Sequence, residues 1–204
     1  MNIYLHPSGV KKELKNDYIG KVFEYSYDFR NKTTTQLAND GWTNTSSLTT
    51  WANWVTASSW NKIYNQLSWL GTAMANAKKL TMNMLMYDAW SVTAGSVAWV
   101  TLSTWTDGYT QTWFYTDRYW AWAMCGSASE AIKQSQSVYN TQWDYTLSAV
   151  FDFVNKTVSV VFPSVYTGSA SLTDTGITTA KTNNTLWCPL QNDRYVKTIS
   201  ILIE

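Results

Sequence analysis

Tyr145-Thr146-Leu147-Ser148-Ala149-Val150-Phe151-Asp152-Phe153, followed by Asn155-Lys156-Thr157-Val158-Ser159-Val160, decides the class of fold. Tyr145, Leu147, Ala149, Phe151 and Phe153 alternate with Thr146, Ser148 and Asp152, a period of two that gives a strand one dry and one wet face. Asn155-Lys156 turns the chain into a second strand, Thr157 to Phe162. Outward from this pair the same period recurs. Leu80, Met82, Met84 and Met86 share one face, and Phe23, Tyr25, Tyr27 and Phe29 share another. Ser96 to Trp105 reads as a long strand, Asp107-Gly108 as a hairpin turn, and Tyr109 to Trp122 as the returning partner. The final strand runs from Tyr195 to Ile203, with Tyr195, Ile199, Ile201 and Ile203 expected on one face. Residues 42–70 read as short strands and long loops. Helix signals are few: Thr33 to Asn39, capped by Asn31 or Thr33 and stopped at Gly41, and a faint second one over Ala128 to Ser137. Many strands, short turns and little helix predict an all-β, antiparallel β-sandwich in one domain, residues 22–204.

Residues 1–21 differ from the rest. They hold Lys11, Lys12, Lys15 and Lys21 with two short apolar pieces, Ile3-Tyr4-Leu5 and Tyr18-Ile19-Gly20. That is too little apolar surface for a core, so the segment is expected to be an arm lying against something larger. The arm has no apolar h-region and does not read as a secretory signal. Over the whole 204 residues the net charge is +1 and charged residues are 14%, against about 25% in an ordinary soluble domain. No basic field for nucleic acid results, and no run of 18 apolar residues reads as a membrane span. Cys125 and Cys188 are too few for a disulfide framework or a four-ligand zinc site. One bridge or two buried thiols both remain open. His6 has no second histidine to share a metal.

Three stretches together resemble the concanavalin A-like or laminin G-like lectin sandwich, a jelly roll. Tyr27 to Thr33 followed by Asp40-Gly41-Trp42 is similar to its opening strand and first turn. The hairpin quoted above is similar to one of its hairpins, and Tyr195 to Ile201 looks like its closing strand. The resemblance implies that the closing strand pairs with the opening one, burying Tyr27 and Phe29 beside Ile199 and Ile201. The arm, in turn, resembles the short leader of tailed-bacteriophage virion proteins, which implies a lectin-like domain in a virion.

Glycoside hydrolases occur on this sandwich, so the carboxylates matter. Retaining hydrolysis needs two of them about 5 Å apart, and no Glu-x-Asp-x-x-Glu run exists. Glu24 and Asp28 would stand about 13 Å apart along a strand. His6 is the only base for a nucleophile and lies in the arm. No catalytic residue, metal ligand or cofactor is therefore assigned. Asp88, Asp107, Asp117 and Asp174 are isolated carboxylates rather than a calcium cluster.

Thirteen tryptophans exceed what one such core takes comfortably, because each buried indole N–H wants an acceptor. Trp42, Trp99, Trp143 and Phe151 read as core. Trp51, Trp54 and Trp60, in a polar loop-rich stretch, and Trp120 and Trp122, on one face of a strand, are candidates for stacking on a glycan or anchoring a subunit contact. Ile3, Tyr4, Leu5, Tyr18 and Ile19 are the assembly candidates of the arm. The expected function is non-enzymatic: a virion structural protein (capsid decoration, head fibre or tail component), partnered by itself as a homo-oligomer and by other virion proteins. The alternative is a carbohydrate-binding module or adhesin for host surface glycans, and a glycoside hydrolase comes third.

Overall fold

The computed structural model describes residues 22–57, 61–88, 98–104, 112–116, 120–125, 130–135, 144–162, 166–190 and 194–204. In chain order the elements are β1 (Phe23–Asp28), α1 (Thr34–Asn39), β2 (Trp42–Thr43), a 3-10 turn (Thr45–Ser47), β3 (Leu48–Thr50), β4 (Val55–Ala57), β5 (Asn61–Asn65), α2 (Leu70–Ala75) and β6 (Lys79–Asp88). They continue with β7 (Ala98–Ser103), β8 (Thr112–Thr116), β9 (Trp120–Cys125), β10 (Glu130–Ser135), β11 (Asp144–Asp152), β12 (Thr157–Phe162), β13 (Tyr166–Ser171), α3 (Asp174–Ala180), β14 (Thr185–Leu190) and β15 (Arg194–Ile203). Two antiparallel sheets result. One has eight strands in the order β13-β12-β11-β6-β15-β4-β3, with β1 also paired to β15; the other has seven in the order β10-β9-β8-β7-β14-β5-β2.

Alternation decides which side chains meet between the sheets. In β6, Leu80, Met82, Met84 and Met86 are fully buried. They stand opposite Phe151, Ala149 and Leu147 of β11 on one side and Ile203, Ile201 and Ile199 of β15 on the other. The seven-stranded sheet answers with Ile63, Val100, Leu102, Ala123, Leu186 and Cys188, all buried. Each aliphatic side chain taken from water stabilises the sandwich by about 1.5–3 kcal/mol.

The chain ends close on each other as the resemblance implied. Tyr25 pairs with Ile201 and Tyr27 with Ile199, and the Phe29 amide donates to the Lys197 carbonyl at 2.9 Å. Tyr27, Phe29 and Trp42 form one ring cluster with centroids 4.9–5.3 Å apart. Its polar tip is satisfied: the Tyr27 hydroxyl donates to Asp40 Oδ2 at 2.7 Å and Lys32 Nζ donates to the same oxygen at 2.8 Å. Burial works against charge on Asp40, but the Lys32 and Tyr27 hydrogen bonds outweigh it and hold its carboxyl below the usual range.

A depressed native pKa stabilises the fold fully above the unfolded value, about 3.9, and that contribution is lost as pH falls through the native value. Asp40→Asn should therefore flatten the loss of urea resistance below about pH 4, read from midpoints at pH 5 and pH 2.5. An unchanged acid slope would refute the Asp40 assignment.

Several expectations need correction. Ala128 to Ser137 is not helical where described: Glu130–Ser135 is edge strand β10 on β9. The helix preference of Ala, Glu, Lys and Gln is worth only tenths of a kcal/mol per residue, less than a paired edge. Tyr109 to Trp122 is not one strand either, for β8 and β9 pair with each other antiparallel. Tyr195 does not share the face of Ile199, Ile201 and Ile203. A register shift between Val196 and Thr198 inserts Lys197, so Val196 is buried and Tyr195 pairs with Tyr87 on the outer face. Two short helices went unforeseen. In α2, Leu70, Ala73 and Met74 are buried at helical spacing. In α3, Thr173 caps the Gly176 amide at 3.0 Å.

Candidate functional site

Among the described residues, the tryptophans singled out from the sequence fall on two different sheets. Trp51 and Trp54 lie at the β3–β4 turn, on the eight-stranded sheet, whereas Trp120 and Trp122 lie on β9 of the seven-stranded sheet. Trp60 and the arm residues Ile3, Tyr4, Leu5, Tyr18 and Ile19 fall outside the described residues, as do Trp143, Asp107 and Asp117.

At the turn, the Trp51 amide donates to the Trp54 carbonyl at 2.9 Å, and Trp51 is 57% exposed. Trp54 instead lies flat against Tyr87 (4.9 Å, 2° between planes) and tilted against Tyr195 (5.1 Å). Lys197 Nζ sits 5.6 Å from the Tyr87 ring centre and pairs with Asp144 at 2.6 Å. This ring cluster covers one end of the outer face of the eight-stranded sheet. Trp54 is thus a packing residue, and only Trp51 projects.

The seven-stranded sheet is different. Trp187 is 8% exposed, yet its strand neighbours Leu186 and Cys188 belong to the core cluster and Trp187 does not. Its ring is buried on the face turned away from the core, against Tyr64 (4.6 Å, 44° between planes). Backbone register carries that row across the sheet: Tyr64, Trp187, Thr101, Trp113 and Met124 pair successively. Two residues along, Trp99, Tyr115, Trp122 and Lys133 make a second row. Alternation puts these positions, and that of Trp120, on the same face. Trp99, expected in the core, therefore falls at a position opposite to its core neighbours Val100 and Leu102. Tyr64 and Trp187 were missed in the sequence because their cross-strand partners are far away in the chain.

A groove of about 430 Å³ opens where this face ends, lined by Gln66, Leu67, Ser68, Gly71, Thr72, Asn184 and Thr185. Thr185 pairs with Ser103, and its hydroxyl donates to Asn184 Oδ1 at 2.9 Å. The Asn184 amide donates to the Ser103 carbonyl at 3.0 Å. No lining residue carries a charge.

Carboxylates are engaged elsewhere. Asp28, Asp40, Asp144, Asp174 and Glu204 pair with Arg30, Lys32, Lys197, Lys156 and Lys79. Asp28 is held below the usual carboxylate range, chiefly by its Arg30 hydrogen bonds. Asp152 is lowered by the Asn155 amide that closes the β11–β12 turn. Among the described residues, no three His, Cys, Asp or Glu side chains gather as a metal site. Cys125 and Cys188 are free and buried. Burial pushes both thiols up to about 12, which leaves them poor nucleophiles at neutral pH.

No protein-family model matches the chain, and no curated protein matches it in sequence. Solved structures do match its fold. Arcelin-5, a lectin-like defense protein from Phaseolus vulgaris, aligns over 90% of this chain and 98% of its own, with a TM-score of 0.59 at 9% identity. The exoplasmic/lumenal domain of VIP36, in a Ca2+/Man-bound form, aligns over 76% of this chain and 80% of its own (TM-score 0.53, 10% identity). The conserved carbohydrate esterase vb_24B_21 from Shiga toxin-encoding bacteriophage phi24B aligns over 88% and 97% (TM-score 0.54, 12% identity). At such identities the likeness is one of fold, and the fold is the concanavalin A-like, lectin-type jelly roll.

Proposed function

We propose that this chain is a non-enzymatic carbohydrate-binding module that holds glycan on the outer face of its seven-stranded sheet. The observation that carries this reading is the gathering of Tyr64, Trp99, Trp113, Tyr115, Trp120, Trp122 and Trp187 positions on that one face. Aromatic rings offer apolar surface to the C–H face of a sugar, while amide and hydroxyl groups beside them meet its hydroxyls. The pairing of Asp28, Asp40, Asp144, Asp174 and Glu204 with cations supports binding rather than hydrolysis. In a titration of the full chain against an oligosaccharide panel, Trp122→Ala should weaken binding at least tenfold, about 1.4 kcal/mol, and Trp51→Ala should leave it unchanged. The reverse outcome would move the site to the β3–β4 turn.

A second reading, a virion setting with self-association, rests on the basic, sparsely apolar residues 1–21. Under it, removing those residues abolishes assembly and spares glycan binding.

A further inference from the structure

We infer that the groove beside Asn184 is a subsite for one uncharged sugar unit, at the end of the glycan path along the aromatic face. The inference rests on the carbohydrate-binding reading and specifies which saccharides it concerns. Thr185 lies two residues before Trp187 on β14, which puts it on the same face about 7 Å further along, and Gln66 follows the end of β5, Asn61–Asn65, at that end of the sheet. A sugar seated against the half-buried Tyr64 ring, which the buried Trp187 ring backs at 4.6 Å, would lie beside the groove.

About 430 Å³ falls within the range of small-molecule sites. Gln66, Ser68, Thr72 and Asn184 bring amides and hydroxyls, which donate and accept as sugar hydroxyls do. The side chains of Gln66, Ser68 and Thr72 make no hydrogen bond among the described residues. Asn184 is set in place: Thr185, 1% exposed, donates its hydroxyl to Asn184 Oδ1. That contact fixes the plane of the amide and leaves its NH2 donors unspent. Gly71 keeps the wall low, since a Cβ there would come within 3.3 Å of the Asn184 Cβ. With no cation lining it, the groove offers a uronate or sialate carboxylate no partner for its charge, and desolvating that charge would be costly. The subsite therefore selects neutral units.

The test uses the full chain and saturation-transfer NMR with calorimetry, on neutral gluco-, manno- and galacto-oligosaccharides and on oligogalacturonates. At least one neutral series should bind at least tenfold more tightly than the galacturonates. Asn184→Ala and Thr72→Arg, the second placed on an exposed helical position to fill the groove, should each weaken it at least tenfold. Their thermal midpoints should stay within a few degrees of the parent. If Trp122→Ala abolishes binding while both groove variants bind normally, the subsite is wrong and the carbohydrate-binding reading stands. Equal or tighter binding of galacturonates overturns the neutral assignment. If no saccharide of either kind binds, the reading and the subsite fall together.

Discussion

Phe29→Ala should cost about 3–5 kcal/mol of stability, the range for removing a fully buried aromatic ring. Phe29 is 0% exposed and touches Tyr27 edge-on and Trp42 at a tilt. Its amide makes the last hydrogen bond between the opening strand and Lys197 of the closing one. The substitution thus leaves a cavity where the two chain ends meet, and the surrounding strands are held by their ladders and cannot collapse into it. Against a typical total of about 5–15 kcal/mol, a loss of that size would leave the variant partly unfolded at 37 °C. Urea denaturation followed by near-ultraviolet circular dichroism reads it directly. A loss under about 1 kcal/mol would mean that Phe29 is not fixed by the closure, because even one lost methylene costs nearly that much.

The second large effect is expected at Gly176. It sits in the first turn of α3, and a Cβ there would land on the Cys125 carbonyl oxygen, inside van der Waals contact. It would also come within 3.1 Å of Thr173 Oγ1. The Cys125 thiol donates to the Gly176 carbonyl at 3.2 Å, so helix and strand are already locked at close range. Alanine would normally favour a helix by about 1 kcal/mol over glycine. Here the clash with backbone outweighs that gain, and Gly176→Ala should destabilise by roughly 2–3 kcal/mol. For a chain of this length that lowers the melting temperature by about 5–10 °C. Thr178→Ala, on the exposed side of the same helix, is the control and should stay within about 0.5 kcal/mol. A Gly176→Ala variant as stable as its parent would show that α3 can move off β9.

Much of the sandwich could be read in advance because its information is local. The alternation in Leu80 to Met86, in Phe23 to Phe29 and in Leu147 to Phe153 stands in the sequence itself, and each became a strand with the expected side inward. The Asn155-Lys156 turn depends on a few consecutive residues and was equally legible; for the α1 cap the sequence offered Asn31 or Thr33, and the structure uses Thr33. Where the reading failed, the deciding partner was remote. Glu130–Ser135 is a strand because β9 offers it an edge, and Tyr195 faces outward because β15 bulges at Lys197 against β6.

By itself, then, the sequence determined the all-β class, the strand periods, the pairing of opening with closing strand through a resemblance, and the unusual supply of indole. Which tryptophans share a surface was decided only by the tertiary structure. Trp51 and Trp54, and Trp120 and Trp122, were two candidate groups in the sequence, and they belong to different sheets. Tyr64 and Trp187, far apart in the chain, stand 4.6 Å from ring to ring. The physical reason is that alternation fixes only which face of its own strand a residue takes. Which strands lie side by side, and in what register, depends on hydrogen-bond ladders closed between segments far apart in the chain.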